Sequence, residues 1–155
     1  MFAKKIQIKG FTVIELIVVL GMAATLTGLI TINLLTSQRL ATLNSTITVL
    51  ESDLRQQQLK SMSGDIADKS TPTDHGIHFE TDKYILFPKD YVSGTGNTFV
   101  VNLDGNISVT TPGEIIFSQG SGETKVGSLD TVTLQDSFNN IKSLKINPLG
   151  VIISD

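Results

Sequence analysis

From Phe11 to Leu35 the chain runs 25 residues with Glu15 as its only ionisable side chain. About 20 consecutive apolar residues are enough for a helix to cross the hydrocarbon layer of a bilayer. The segment therefore reads as a membrane-spanning helix. A carboxylate within such a span is costly to hold, which marks Glu15 as a functional position. Lys4, Lys5 and Lys9 flank the segment on one side, and only Arg39 follows it closely on the other. By the positive-inside rule the N-terminus faces the cytoplasm and the rest of the chain lies beyond the membrane.

The helical pattern continues past the apolar run. No proline occurs before Pro72, so one helix can extend from Phe11 to about Ser63, roughly 80 Å at 1.5 Å per residue. Its second half changes character. Leu40, Leu43, Ile47, Leu50 and Leu54 recur at steps of three and four, with Arg39, Glu51, Asp53, Arg55, Gln56 and Gln57 between them. That is one apolar stripe on a polar helix. The stripe could be a coiled-coil seam, but two heptads fall short of the three or four such a seam needs. Packing on the chain's own C-terminal part is the expected role. Gly64 is placed to stop the helix. Gly21 and Gly28 weaken the membrane half or let another helix approach.

After a polar linker at 64–74 the period switches to two. Strands are expected at 76–80, 83–87, 98–103, 106–110, 114–118, 131–134, 141–147 and 150–154, rich in Val, Ile, Phe and Thr. Turn chemistry separates them at 93–97, at Asp104-Gly105-Asn106 and at Gly120-Ser121-Gly122. Asn147-Pro148-Leu149-Gly150 fits a type I turn joining the last two strands in a hairpin. The expected fold is α+β, a long N-terminal helix followed by an antiparallel sandwich or paired small sheets.

Chemistry-bearing motifs are sparse. The chain has no cysteine, which removes disulfides and thiolate sites. His75 and His78 stand three apart beside a strand, where alternation sends them to opposite faces, and nothing completes a metal shell. Asp104-Gly105-Asn106 lacks the spaced oxygens and closing Glu of a calcium loop. Neither a nucleophile elbow nor a phosphate-binding glycine loop is present. No catalytic, cofactor or metal site is expected, and the chain is not read as an enzyme.

The stretch Lys9-Gly10-Phe11-Thr12-Val13-Ile14-Glu15 resembles the class III signal of type IV pilins and type II secretion pseudopilins. That family has a basic leader ending in Gly, then Phe, with Glu fifth in the mature chain. The resemblance implies a leader at 1–10, cut by a prepilin peptidase between Gly10 and Phe11, and N-methylation of Phe11. It implies a transmembrane and filament-core helix at 11–35, an amphipathic continuation at 36–64 and a β-rich domain at 65–155. The region around Leu50-Glu51-Ser52-Asp53-Leu54-Arg55, with late strands around Gly120 and Gly150, is similar to GspH/FimT-type minor pilins and pseudopilins. The proline common in the family's membrane helix is missing; Ile30-Thr31-Ile32-Asn33 stands there.

The function so implied is that of a structural subunit in a type IV pilus or type II secretion filament. Its partners would be other pilin or pseudopilin subunits, the prepilin peptidase, an inner-membrane assembly platform and membrane lipid. It would be a single-pass inner-membrane protein with its C-terminal domain in the periplasm, later drawn into a filament. The alternative is a ligand-binding tip pilin, an adhesin or a DNA-uptake subunit. Removal of residues 1–10 leaves nine basic against fifteen acidic residues, a net charge of −6, which argues against nucleic acid.

Two roles are open to Glu15. It could be a carboxylate favoured by the helix dipole at the cytoplasmic interface. Cleavage after Gly10 offers another role, since it would create an ammonium at Phe11, four residues away. In a low-dielectric layer such opposite charges attract strongly and each alone is costly. Pairing between neighbouring subunits would then favour assembly and set the register.

Overall fold

The computed structural model describes residues 10–65, 71–89, 91–92 and 98–154, apart from the side chains of 31–33. The leader lysines, the turn at 93–97 and the middle of the 64–74 linker lie outside the described residues. The chain is α+β. A single helix, α1 (Val13–Ser63), precedes β1 (His75–Phe79), β2 (Lys83–Pro88), β3 (Phe99–Asn102), β4 (Ile107–Val109), β5 (Gly113–Phe117), β6 (Thr131–Asp136), β7 (Ile141–Ile146) and β8 (Ile152–Ser154). Two compact units divide within α1, between Gln38 and Arg39.

The helix stops where glycine permits it. Gly64 has φ +69°, its N–H donates to the Ser61 carbonyl, and the Asp65 N–H donates to the Lys60 carbonyl at 3.0 Å. These paired bonds close the last turn and satisfy carbonyls that would otherwise lack partners.

In the second unit the strands form two antiparallel four-stranded sheets, ordered β3-β2-β1-β5 and β4-β6-β7-β8. Alternation decides the faces. Ile77 is registered with Leu86 on one side and Ile115 on the other, and all three point into the core. In the second sheet Val132 faces Leu144, and Ile146 faces Ile152. The hairpin between β7 and β8 turns at 147–150. The Gly150 N–H donates to the Asn147 carbonyl at 2.9 Å, and the Val151 N–H donates to Asn147 Oδ1 at 2.9 Å.

One core joins both sheets to the second half of α1. Leu43, Ile47, Leu50 and Leu54 lie in the same buried cluster as Phe79, Tyr84, Phe117, Val109, Leu134 and Leu144. Burying each such aliphatic chain contributes about 1.5–3 kcal/mol. The buried line continues past Leu54 through Gln57 and Ser61. Leu40 departs from the expected stripe, being 41% exposed. At that end the helix meets the β6–β7 turn through Arg39, whose guanidinium lies 3.7 Å above the Phe138 ring. The neighbouring Leu40 is left uncovered.

Polar contacts fix the C-terminal part of the helix within the second unit. Tyr84 donates its hydroxyl to Asp53 Oδ2 at 2.6 Å, and burial followed by this bond pushes the phenol well above its ordinary value. Ser61 donates to the Phe117 carbonyl at 3.0 Å and accepts from the His75 N–H at 2.8 Å. Gln58 Nε2 donates to the Gly122 and Gly150 carbonyls at 2.9 Å each. At Gly150, with φ +77°, a Cβ would collide with the Gly122 carbonyl oxygen and the Gln58 amide.

Candidate functional site

The first unit carries the residues that the sequence marks. Gly10, Phe11 and Thr12 precede the helix and are exposed, Phe11 to 84%. The helix begins at Val13 rather than at Phe11 because Thr12 caps it. Glu15 N–H donates to Thr12 Oγ1 at 3.3 Å, and the Thr12 N–H donates back to Glu15 Oε2 at 3.3 Å. The Thr12 hydroxyl also reaches Glu15 Oε2 at 3.4 Å. This is a reciprocal capping box, which satisfies backbone donors that a helix start leaves open. A Thr followed three residues later by Glu, just ahead of an apolar run, is the signal that could have found it. The Glu15 carboxylate thus has a local role in the isolated chain.

Beyond the cap the helix is long and apolar enough to span a membrane, and its most apolar stretch has no buried residue. Exposure covers the whole circumference, with Leu16, Ile17, Val18, Val19 and Leu20 all between 48% and 60% exposed. A helix apolar on all sides requires lipid or other protein around it. Its hydroxyls suit such surroundings. Thr25 donates to the Met22 carbonyl at 2.8 Å and Thr27 to the Ala23 carbonyl at 2.7 Å, so neither is left unpaired where water is scarce. Added Cβ atoms at Gly21 and Gly28 would meet nothing within 4 Å, leaving room for a second helix to approach.

In the second unit His75 and His78 leave β1 on opposite faces. His75 points inward and is 4% exposed. Its Nε2 has no hydrogen-bond partner, and the nearest acid is Asp65 at 4.0 Å. Burial lowers its pKa, with Asp65 acting in opposition. His78 stacks on Tyr91 on the outer face, with ring centroids 4.0 Å apart. A cleft of about 470 Å³ beside His75 is lined by Asp53, Gln56, Lys60 and Asp65 on one wall and by Leu86 and Phe99 on the other. Its charges are mixed in sign and favour no one ligand class. Among the described residues no group of three or more His, Cys, Asp or Glu could hold a metal ion. Asp104 forms a turn, its Oδ1 accepting from the Asn106 N–H at 3.1 Å.

No protein family, curated protein or solved structure matches this chain.

Proposed function

We propose that the chain is a minor pilin or pseudopilin, a filament subunit released from a leader by cleavage after Gly10 and assembled through its apolar helix. Until assembly it would sit in the inner membrane with its β-unit outside the cytoplasm. The observation that carries this reading is the apolar helix, exposed on every side and opening on Glu15 directly after the exposed Gly10–Phe11 bond. Filament formation would cover that surface, and the Phe11 ammonium of one subunit would pair with Glu15 of the next.

Co-expression with a prepilin peptidase and mass spectrometry of the mature N-terminus test the cleavage. A start at Phe11 is expected, and Gly10→Val should block processing while leaving insertion intact. A mature chain starting beyond Leu35 would mean an ordinary signal peptide and would sink the reading. The two roles of Glu15 can be separated. Glu15→Gln keeps a side chain able to cap the helix but removes the charge, whereas Thr12→Val removes the cap partner and keeps the carboxylate. Incorporation into sheared filaments should fail for Glu15→Gln and persist for Thr12→Val.

A further inference from the structure

The β6–β7 turn combines three features. It is tightly built, it carries an exposed aromatic ring, and it is held against the helix beside the apolar segment. Asp136 builds the turn, its Oδ1 accepting from the Phe138 and Asn140 N–H groups at 2.8 and 2.9 Å and its Oδ2 from the Asn140 amide at 2.7 Å. Phe138 is nevertheless 56% exposed, and Ile141, which opens β7, is 58% exposed. The inner side of the Phe138 ring is taken by the Arg39 guanidinium. Arg39 follows Leu35, the last residue of the apolar run, by four positions, and four residues span at most about 14 Å in any conformation. Whatever the orientation of the units, this turn is therefore tethered close to the end of the apolar segment. The β7–β8 hairpin belongs to the far end of the unit, where Gln58 holds it, about 30 Å further along the helix at 1.5 Å per residue.

We propose that the β6–β7 turn docks on the bilayer surface of the membrane that the apolar helix crosses, with Phe138 and Ile141 entering the boundary between headgroups and acyl chains. The proposal rests on the membrane reading above. An aromatic ring paired with arginine suits this layer. The ring sheds water while the exposed Arg39, which also faces the Asp136 carboxylate, can turn guanidinium donors toward phosphate oxygens. Exposed Leu40 adds apolar area beside Arg39. Asp104, on the loop whose Asn106 carbonyl accepts from the Ser137 N–H at 2.9 Å, is acidic and weighs against a purely electrostatic attraction. Apolar insertion of Phe138 is the driving contact.

The chain contains no tryptophan, so one introduced indole reports its own surroundings. The full chain is reconstituted at low density in phosphatidylcholine vesicles, with and without bromine on the upper acyl chain. Phe138→Trp, Leu149→Trp and Leu26→Trp are compared. A ring about 5–10 Å into the boundary layer lies within reach of those bromines and should lose about half its emission. Phe138→Trp should show that loss together with shielding from acrylamide, and Leu149→Trp, on the far hairpin, should show neither. Equal acrylamide access at 138 and 149 overturns the proposal. So does shielding at 138 without bromine quenching, which would mean that a second copy covers the turn. Leu26→Trp separates the two layers of inference. If it is quenched and Phe138→Trp is not, only the docking fails. If Leu26→Trp is itself unquenched, the membrane reading falls and the docking falls with it.

Discussion

The two halves of α1 share a backbone and differ in everything that surrounds it. Up to Leu35 apolar side chains cover every side, and among the described residues none of them is buried. From Leu43 onward the buried ones, Leu43, Ile47, Leu50 and Leu54, occupy one line and enter the core of the second unit, while Val49, Leu59 and Met62 off that line stay exposed. How apolar residues are distributed around a helix thus decides its surroundings. A full circumference calls for an apolar solvent or several helical neighbours, whereas a single stripe is satisfied by one face of a folded domain. The polar groups follow the same division. In the first half hydroxyls turn back onto their own helix at Met22 and Ala23. In the second half Thr46 and Thr48 do the same, but Asp53 and Ser61 also reach across to strands and Gln58 to the turns at Gly122 and Gly150.

The harshest test places a charge in each half. Leu50 is fully buried, and Leu50→Asp should destabilise the second unit by about 4 kcal/mol or more, since an unpaired carboxylate would sit in the core. The measurement is a thermal melt of a chain truncated to begin at Ser37. Leu26→Asp should leave that unit's melt in the full chain unchanged while costing insertion about 3 kcal/mol, read by extraction from membranes. An unchanged melt for Leu50→Asp would erase the distinction between the halves. Gly150→Ala comes next. It forces a side chain into a left-handed backbone against a carbonyl, which should cost about 2–3 kcal/mol by urea unfolding.

A smaller effect should come from acid. His75 is held below its ordinary value of 6.5 by burial. The unfolded chain binds this proton more readily, so stability falls as pH drops below about 6.5. Burial raises Asp74, but the ion pair with Lys125 and the Gln119 N–H outweigh it, leaving its pKa below 3.8. Its contribution, present above 3.8, is lost as pH falls through its folded value. Both act in the same direction, but only the histidine's window lies between pH 7.5 and 4.5, so Tm should be lower near pH 4.5 because of His75, with Asp74 adding to the loss below about pH 3.8. In His75→Gln the part of that drop between about pH 6.5 and 5 should flatten, and an unaltered profile would place the sensitivity elsewhere. The smallest effect is expected for Leu40→Ala, within about 0.5 kcal/mol. A cost near that of a core leucine would show that Leu40 is covered in solution.

Much of the fold is legible in residue order because its signals are local. Period-two runs and turn residues mark all eight strands to within a few residues, Asn147-Pro148-Leu149-Gly150 marks the last hairpin, and Gly64 marks the helix end. Pairings over long separations are not legible in this way. That β1 takes β5 as a neighbour, or that β4 and β5 enter different sheets, follows from packing of the whole unit. Spacing alone also extended the stripe to Leu40, because periodicity carries no information about where the covering strands end. The Thr12–Glu15 cap is legible in its spacing, a Thr three residues ahead of a Glu before an apolar run.

Gln58 accepts a timing constraint along with its two partners. The carbonyls it holds belong to residues 64 and 92 positions further along the chain. At a synthesis rate of about 5–20 residues per second, roughly 5–20 s separate the appearance of Gln58 from that of Gly150. Throughout that interval the stripe from Leu43 to Leu54 is made but still lacks Leu144, Ile146 and Ile152, which complete its core. The second unit is thus a late-closing fold, and its nascent helix spends those seconds with an uncovered greasy side that any holding factor could grip.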